Sequence, residues 1–216
     1  GNSAGQAAVH LARFAARARV FERHQTEEGM SGPAFASLLT GTQAERHGVF
    51  SHPAQLAESN QLLMEAFAAA GWETWFFGDH PIAAADLGYA QGVPPHRVRQ
   101  ELLSAGSPGL AKILERLRQD PQRRVLVVTA FTVSHGPYAL DRLPGFCQRH
   151  PQSCVGQGLD EITRLGRLYQ DKRLLLERSF APTLRALRLK PPQRQALVAA
   201  VETIYASRIE YLDELF

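Results

Sequence analysis

The chain has 216 residues, 44% of them hydrophobic and 21% charged, which is typical of a soluble globular protein of about one domain. The net charge is only +3 and the basic residues are scattered among acids, which argues against a nucleic-acid partner, because nucleic acids bind to clustered basic faces. No apolar run approaches the roughly 20 residues that span a bilayer, and the first residues lack the uninterrupted apolar segment of a signal peptide.

Apolar spacing in the first half of the chain predicts short helices and one strand. A helix is expected over residues 7–17, and a second one over residues 33–40 begins at Pro33 and ends at Gly41. The strand is the aromatic run "WETWFFG", which ends at Gly78. A third predicted helix, between these two elements, has an apolar face formed by Leu56, Leu63 and Phe67.

The second half predicts a strand and three longer helices. The run at residues 125–131 is continuous, β-branched and apolar, as expected of a strand buried on both faces. A helical region is expected from Leu159 to about Leu187, and a last helix begins at Pro191. The helix before the strand has a 3.6-residue period carried by Leu110, Ile113, Leu114 and Leu117.

This alternation of strands and helices, without a hairpin signal, predicts an α/β fold with a mainly parallel sheet flanked by helices. Two regions, residues 80–108 and 132–158, are rich in Pro, Gly and His and interrupt the regular pattern. Long irregular segments of a compact domain are often functional, and ligands of parallel sheets bind outside the carboxyl ends of the strands.

The two cysteines, Cys147 and Cys154, lie in a loop-like segment with six residues between them. A disulfide is expected in an oxidising compartment, and two unpaired thiols are the alternative. A metal site is disfavoured, because His150 is the only further ligand nearby.

Ser31 lies at or just before the predicted N-cap of the helix that begins at Pro33. Taken alone, its hydroxyl is expected to satisfy a free backbone N–H group. A functional alternative is that the hydroxyl is a nucleophile beside the anion site that a helix N-terminus provides.

The segment "SGPAFASLLTGTQAERHGV" resembles the signature of the sulfatases of the alkaline phosphatase superfamily, which reads Cys or Ser, x, Pro, Ser, Arg, three residues, Leu-Thr-Gly. In this chain Ser31, Pro33 and the run Leu39–Gly41 fall in register. Four further landmarks resemble the family in the same order: "LLMEAFAAAGWETWFFGDHP", "LGYAQGV", "VLVVTAFTVSHGPY" and "IYASRIEYLDELF". Residues 1–216 are thereby identified as a partial sulfatase-like α/β domain that lacks the first strand and the C-terminal part.

The resemblance implies roles for individual residues. Ser31 occupies the position of the catalytic nucleophile, which sulfatases oxidise to formylglycine and phosphatase relatives use unmodified. His135 matches a histidine that contacts the anionic group of the substrate, although a loop histidine bonded to backbone is its alternative. His80 lies close to the motif position of the family's second substrate-binding histidine. Its Gly-Asp-His run is one residue shorter than the family's motif and lacks the lysine of that motif. Three other residues are expected to pack and hydrogen-bond rather than catalyse: Tyr138, Tyr205 and Asp213.

Two departures from the family matter for chemistry. Ala34 and Phe35 replace the expected Ser-Arg pair, and the absence of this arginine disfavours the conversion of Ser31 to formylglycine. The family's Ca²⁺ or Mg²⁺ is held by carboxylates, and the chain contains neither an Asp-Asp nor an Asp-Asn pair. A divalent metal is therefore expected in the complete enzyme, with none assembled by this chain alone.

The expected function is that of a sulfatase-like hydrolase acting on a sulfate ester of a small molecule or carbohydrate, in the periplasm or outside the cell. A phosphomonoesterase or phosphodiesterase of the same superfamily and a catalytically inactive binding remnant are the alternatives. The chain alone is expected to show little turnover, and an open sheet edge is expected to make it marginally stable.

Overall fold

A computed structural model of the chain describes residues 8–51, 53–78, 81, 84–135, 138–154, 158–171 and 190–215. The contacts divide the chain into two compact units, which are described separately below. One unit is the continuous segment Val20–Thr132, and the other consists of Gly1–Arg19 together with Val133–Phe216.

The regular elements are numbered in chain order over the described residues. The strands are β1 (Glu73–Gly78), β2 (Val98–Arg99) and β3 (Val125–Ala130). The helices are α1 (Val9–Ala15), α2 (Ser31–Thr40), α3 (Ala44–His47), α4 (Leu63–Ala69), α5 (Pro108–Gln119), α6 (Leu143–Arg149), α7 (Gly158–Asp171) and α8 (Pro191–Glu214). Short 3-10 turns occur at Ala85–Leu87, Pro95–Arg97 and Pro151–Cys154.

The unit Val20–Thr132 contains a three-stranded parallel sheet with the strand order β2-β1-β3. Strands β1 and β3 pair over their full lengths, from Glu73 opposite Val125 to Gly78 opposite Ala130. The prediction of an α/β fold with a parallel sheet and flanking helices is therefore confirmed at this coarse level. Strand β2 was not predicted, because a two-residue strand has no periodicity to detect.

The central strand β1 is buried along its whole length and separates two apolar clusters. Successive side chains of a strand point to opposite faces of the sheet. Accordingly, Trp75 and Phe77 pack with Ile113 of α5 on one face. Phe76 packs on the other face with a cluster that includes Leu39 of α2. The predicted strand and its end at Gly78 are both confirmed.

Strand β3 occurs where it was predicted, but it is less buried than expected. Five of its six residues are only partly buried. Its side chains do contact both apolar clusters, with Leu126 and Val128 on one face and Val125 and Val127 on the other. Among the described strands β3 pairs with β1 alone, and this edge position accounts for the incomplete burial.

The predicted helical face of Leu56, Leu63 and Phe67 is wrong. Helix α4 has seven residues and begins only at Leu63, so Leu56 lies outside it. Leu56 is buried in an irregular segment, where its N–H donates to the carbonyl of Leu87 at 2.9 Å. Leu63 is 40% exposed, and the core is instead filled by Leu62 and Met64. A short helix buries few residues, so periodicity over 12 positions overstated its length.

Helix α5 confirms its predicted position. Its N-cap is Ser107, whose hydroxyl accepts a hydrogen bond from the N–H of Leu110. Ile113 is buried against the sheet, whereas Leu114 is 43% exposed. The sheet covers a narrower stripe of the helix than the apolar spacing indicated.

In the other unit, α7 and α8 pack together around an apolar cluster that includes Ile162 and Ile204. The last helix begins at the predicted Pro191. Only Gly158–Asp171 of the long helical region predicted to reach Leu187 belongs to the described residues, and residues 172–189 lie outside them. No helix in the described ranges is long and apolar enough to cross a membrane.

The two cysteines form a disulfide, which decides between the two alternatives left by the sequence. Cys147 of α6 is bonded to Cys154, at the end of the following 3-10 turn. Both cysteines also pack against the apolar cluster of α7 and α8. The bridge therefore joins a short helix to the core of its unit.

The packing roles predicted for Tyr205 and Asp213 are confirmed. The rings of Tyr138 and Tyr205 lie 5.3 Å apart. The Asp213 carboxylate is buried and accepts hydrogen bonds from the N–H groups of His10 and Leu11 in α1, at 2.8 and 2.7 Å. Helix α1, predicted over residues 7–17, is thus held at its N-terminal end by the far end of the chain.

Candidate functional site

The carboxyl ends of β1 and β3 define the edge of the sheet where a functional site is expected. Because the two strands are parallel and in register, Gly78 and Ala130 end side by side. In the sequence His80 comes two residues after the end of β1, and His135 comes five residues after the end of β3. His80 itself lies outside the described residues.

Ser31 is the first residue of α2, and the N-cap is Met30 in an extended conformation. The predicted N-cap position of Ser31 is therefore wrong by one residue, because the helix begins two residues ahead of Pro33. The Ser31 side chain is partly exposed and has no hydrogen-bond partner within the described ranges. Its hydroxyl therefore does not cap a backbone N–H group within the described ranges.

The start of α2 offers backbone donors beside this hydroxyl. The first helical hydrogen bond runs from the N–H of Ala34 to the carbonyl of Met30 at 3.0 Å. Pro33 has no N–H, so Ser31 and Gly32 carry the amide groups that have no acceptor inside the helix. These donors and the positive end of the helix dipole favour an anionic group at this place.

A buried tyrosine fixes the position of the helix start. The Tyr89 hydroxyl donates to the carbonyl of Gly32 at 3.2 Å, and the tyrosine side chain is fully buried. Burial raises the pKa of Tyr89, so it stays a neutral donor. At the other end α2 stops at Gly41, which has a φ of 65°. Tyr89 belongs to the landmark "LGYAQGV", but its contact with α2 was not predicted.

Phe35 occupies the position of the family's arginine and has a different role. It is partly buried and packs against the apolar cluster of α2 and β1. It also lines a cavity on the surface of the unit together with Ala34 and Leu38. The site therefore has an apolar wall where the resemblance implies a cation.

A second serine of α2, Ser37, contacts a histidine but not as a nucleophile with its base. The Ser37 oxygen lies 3.0 Å from Nε2 of His47, and Nδ1 of His47 accepts the N–H of Val49 at 3.1 Å. Nδ1 is therefore unprotonated, and in the neutral imidazole Nε2 carries the hydrogen and donates it to Ser37. Burial lowers the pKa of His47, against the opposing charges of Glu28 and Glu45, which favours this neutral form.

His135 is exposed and follows β3 in the chain. It belongs to the unit that contains Val133–Phe216, whereas Ser31 belongs to the unit Val20–Thr132. The combination of Ser31, His80 and His135 as one site therefore stays a prediction.

The described residues do not account for a metal ion. Within the described ranges no group of three or more His, Cys, Asp or Glu side chains is arranged to hold one. The described residues therefore offer no ligand set for the divalent cation that the resemblance implies, and this cation stays an expectation for the complete enzyme only.

A buried ionic cluster that was not predicted from the sequence lies at the amino end of β1. The Glu73 carboxylate accepts hydrogen bonds from Trp75 at 2.8 Å, Arg123 at 2.9 Å and Arg116 at 3.2 Å, and Arg97 lies 3.7 Å away. Burial raises the pKa of Glu73, but these hydrogen bonds and charges outweigh it and hold the pKa below 4.5. The signal in the sequence that could have indicated this cluster is a glutamate inside an otherwise aromatic strand. The cluster lies at the edge opposite the strand carboxyl ends, so we assign it a structural role.

No family model, no curated protein and no solved structure matches this chain. The resemblance to sulfatases therefore stays a prediction, which depends on the motifs quoted above.

Proposed function

We propose that this chain is part of a sulfatase-like hydrolase, in which position 31 supplies the nucleophile that attacks the sulfur of a sulfate ester. The observation that carries the proposal is the start of α2. A serine in register with the signature begins a ten-residue helix and has no hydrogen-bond partner in the described part of the chain. The proposal includes a sulfatase-like fold. The described parallel sheet with its helices agrees with that fold only at the level of the α/β class.

The proposed reaction uses the groups of this chain as follows. The oxygen at position 31 forms a bond to sulfur, the bond between sulfur and the ester oxygen breaks, and the alcohol leaves with the proton of the attacking hydroxyl. Water then releases sulfate from position 31 and restores the hydroxyl. The N–H groups of Ser31 and Gly32 and the dipole of α2 stabilise the sulfate oxygens as charge shifts onto them. His135 and His80 are proposed to contact the anionic group, and the divalent metal of the complete enzyme remains part of the proposal.

Phosphate-ester hydrolysis is the second candidate, and Phe35 favours it. An unmodified serine attacks phosphorus without the maturation motif that the arginine of sulfatases belongs to. The two candidates differ in the covalent state of position 31. In a sulfatase the Ser31 peptide is lighter by two hydrogen atoms, because formylglycine replaces serine.

The third candidate, a binding module without catalysis, is supported by the same substitution of Phe35 for arginine. It differs from the other two in one prediction, namely that Ser31→Ala leaves the function unchanged. We also propose that the hydrolase is located in the periplasm or outside the cell. The disulfide Cys147–Cys154 is compatible with such an oxidising compartment.

The test uses the complete protein as its source produces it. Mass spectrometry of the Ser31 peptide is combined with assays on aryl sulfates and aryl phosphates, with Ca²⁺, Mg²⁺, Mn²⁺ and Zn²⁺ each supplied. We expect sulfatase turnover that Ser31→Ala abolishes and that Ser59→Ala, an exposed serine of the same unit, leaves intact. Turnover of phosphates alone with unmodified serine selects the second candidate. The absence of turnover on both ester classes would reject hydrolysis.

A further inference from the structure

A cavity of about 520 Å³ lies beside α2, and we call it the α2 cavity. One wall is the helix itself, and the other is the preceding segment of residues 24–27. Ligand sites of proteins have volumes of about 300 to 1,000 Å³, so this one has room for a molecule of one or two rings. Its lining includes the apolar side chains of Phe35 and Leu38, the hydroxyl groups of Ser37 and Thr42, and the carboxylate of Glu27.

The α2 cavity lies on the same side of the helix as Ser31. Phe35 and Leu38 follow Ser31 by four and seven residues, which places the three side chains along one face of the helix. The rise from Ser31 to Phe35 is about 6 Å. If the anionic end of a substrate binds at the start of α2, the rest of the substrate therefore lies towards Phe35.

The apolar part of the lining is suited to a ring. Phe35 is held in place by the core on its inner side. Leu38 is 68% exposed, which is unusual for a leucine in the middle of a helix. A ring that packs between these side chains removes apolar surface from water on both sides.

The hydroxyl groups of the lining have defined roles. Thr40 gives its hydrogen to the carbonyl of Ala36, so Thr42 donates to Thr40 and keeps its oxygen lone pairs for a ligand. Ser37 receives the hydrogen of His47, and its own hydroxyl hydrogen has no acceptor in the described part of the chain. The lining therefore offers a hydroxyl donor in Ser37 and a hydroxyl acceptor in Thr42.

The charges of the lining disfavour an anionic group. The lining residues include no lysine or arginine, and Glu27 contributes a negative charge. A sulfate or phosphate placed here would have no cation to pair with and a carboxylate nearby. The α2 cavity is consequently a place for the uncharged part of a substrate.

We infer that the α2 cavity binds the ring-bearing, uncharged alcohol part of the ester, with Ser37 and Thr42 hydrogen-bonded to its hydroxyl groups. This inference rests on the proposed function, because it places the alcohol beside the nucleophile. It narrows the substrate class to esters of neutral ring alcohols, and it gives Phe35 a role in substrate specificity in place of the lost arginine.

The test measures binding without turnover, using 2-naphthol as a neutral ring alcohol and the complete protein with isotope-labelled backbone. We expect titration to shift the amide signals of Phe35, Ser37 and Thr42. Leu38→Asp should weaken binding by about tenfold or more, because it places an unpaired carboxylate in the apolar wall. Leu114→Asp is the matched control, since Leu114 is also an exposed helical leucine but does not line the cavity.

Two results would overturn the inference: no shift of the α2 signals with the wild-type protein, or equal affinity of the Leu38→Asp variant. The outcome separates this inference from the proposed function. Binding of 2-naphthol in the α2 cavity without ester hydrolysis rejects the hydrolase and leaves a site for neutral ring alcohols. Hydrolysis that depends on Ser31, with a KM unaffected by Leu38→Asp, rejects the cavity assignment alone.

Discussion

The Thr129 hydroxyl on strand β3 is buried and has no hydrogen-bond partner in the described part of the chain. A buried polar atom without a partner lowers stability, because it has lost its water. We expect Thr129→Val to raise the free energy of unfolding by about 1 kcal/mol, measured by urea denaturation. Thr203→Val is the matched control, because the Thr203 hydroxyl is bonded to the carbonyls of Ser153 and Ala199.

For Thr203→Val we expect the opposite sign, a loss of about 1 kcal/mol in the free energy of unfolding, since the one hydrogen that the Thr203 hydroxyl shares between two carbonyls is lost. A loss of stability in Thr129→Val would contradict the prediction. It would show that the Thr129 hydroxyl is satisfied by water or a ligand near the carboxyl end of β3.

His47, which contacts Ser37, makes the free energy of unfolding depend on pH. Because burial lowers the pKa of His47 from its ordinary 6.5, the unfolded chain takes up the proton first as the pH falls. The contribution of His47 to stability is therefore complete above pH 6.5 and is lost as the pH falls through the lowered pKa. We expect His47→Gln to cost about 1 to 2 kcal/mol at pH 8 and less at pH 5.

Denaturation of both proteins across this pH range measures the difference. Gln55→Ala, at an exposed position of the same unit and without a titratable side chain, should show no such dependence. A cost of His47→Gln that is constant with pH would mean that the folded protein does not hold the imidazole neutral.

Helix α1 depends on a residue about 200 positions away. It has seven residues and buries none of them, so it is too short to be stable alone. The Asp213 carboxylate satisfies two N–H groups at its start. We expect Asp213→Ala to cost about 1 to 2 kcal/mol and to expose the His10 and Leu11 amides to hydrogen exchange.

Glu202→Ala is the matched control, because Glu202 is an exposed acid of the same helix, α8. Unchanged exchange of the two amides in Asp213→Ala would reject the proposed cap. It would show that α1 is held in place by other contacts.

The disulfide closes a short loop between α6 and the following turn. The loop-entropy account gives about 2 to 3 kcal/mol for a ring of this size. We expect the double variant Cys147→Ala/Cys154→Ala to unfold at a correspondingly lower urea concentration. A reductant should lower the stability of the wild-type protein and leave that of the double variant unchanged. Equal sensitivity of the two proteins to the reductant would argue that the bridge contributes nothing.

At the scale of the whole molecule, β3 lies at an edge of the sheet, because among the described strands it pairs with β1 alone. The Glu73 N–H donates to the carbonyl of Arg124, and Glu73 is paired with Val125. In a parallel ladder the N–H of Val127 then points away from β1 and that of Val128 towards it. Unpaired strand edges promote association between chains. We therefore expect the 216-residue chain to associate as its concentration rises, as sedimentation velocity would show.

Proline variants test which side of β3 is responsible. Val127→Pro removes an N–H from the open side and should reduce the association while the chain stays folded. Val128→Pro removes a ladder hydrogen bond to β1 and should unfold the sheet instead. A wild-type chain that stays monomeric and melts cooperatively at high temperature would contradict the prediction.

Much of the fold could be predicted because its signals are local. The aromatic run of β1, the apolar run of β3 and the glycine that ends α2 each act within a few residues. The face of Leu56 and Leu63 was predicted wrongly, because the same spacing fits a helix and an irregular buried segment. Of the candidate site, the sequence indicated Ser31 through its motif and missed Tyr89, which lies 58 residues later in the chain.

The sequence alone determined the α/β class, the two long strands, the position of Ser31 at a helix start and the separation of the cysteines. Only the tertiary structure decided that His47 donates to Ser37, that Glu73 stays ionised among arginines, that Cys147 pairs with Cys154 and that Asp213 holds α1. The contacts of Glu73 and Asp213 join groups that are distant in the chain. The protonation or pairing of all four features follows from burial and contact geometry. Local propensity specifies where elements begin and end, whereas the chemistry of a buried group is set by the neighbours that folding brings to it.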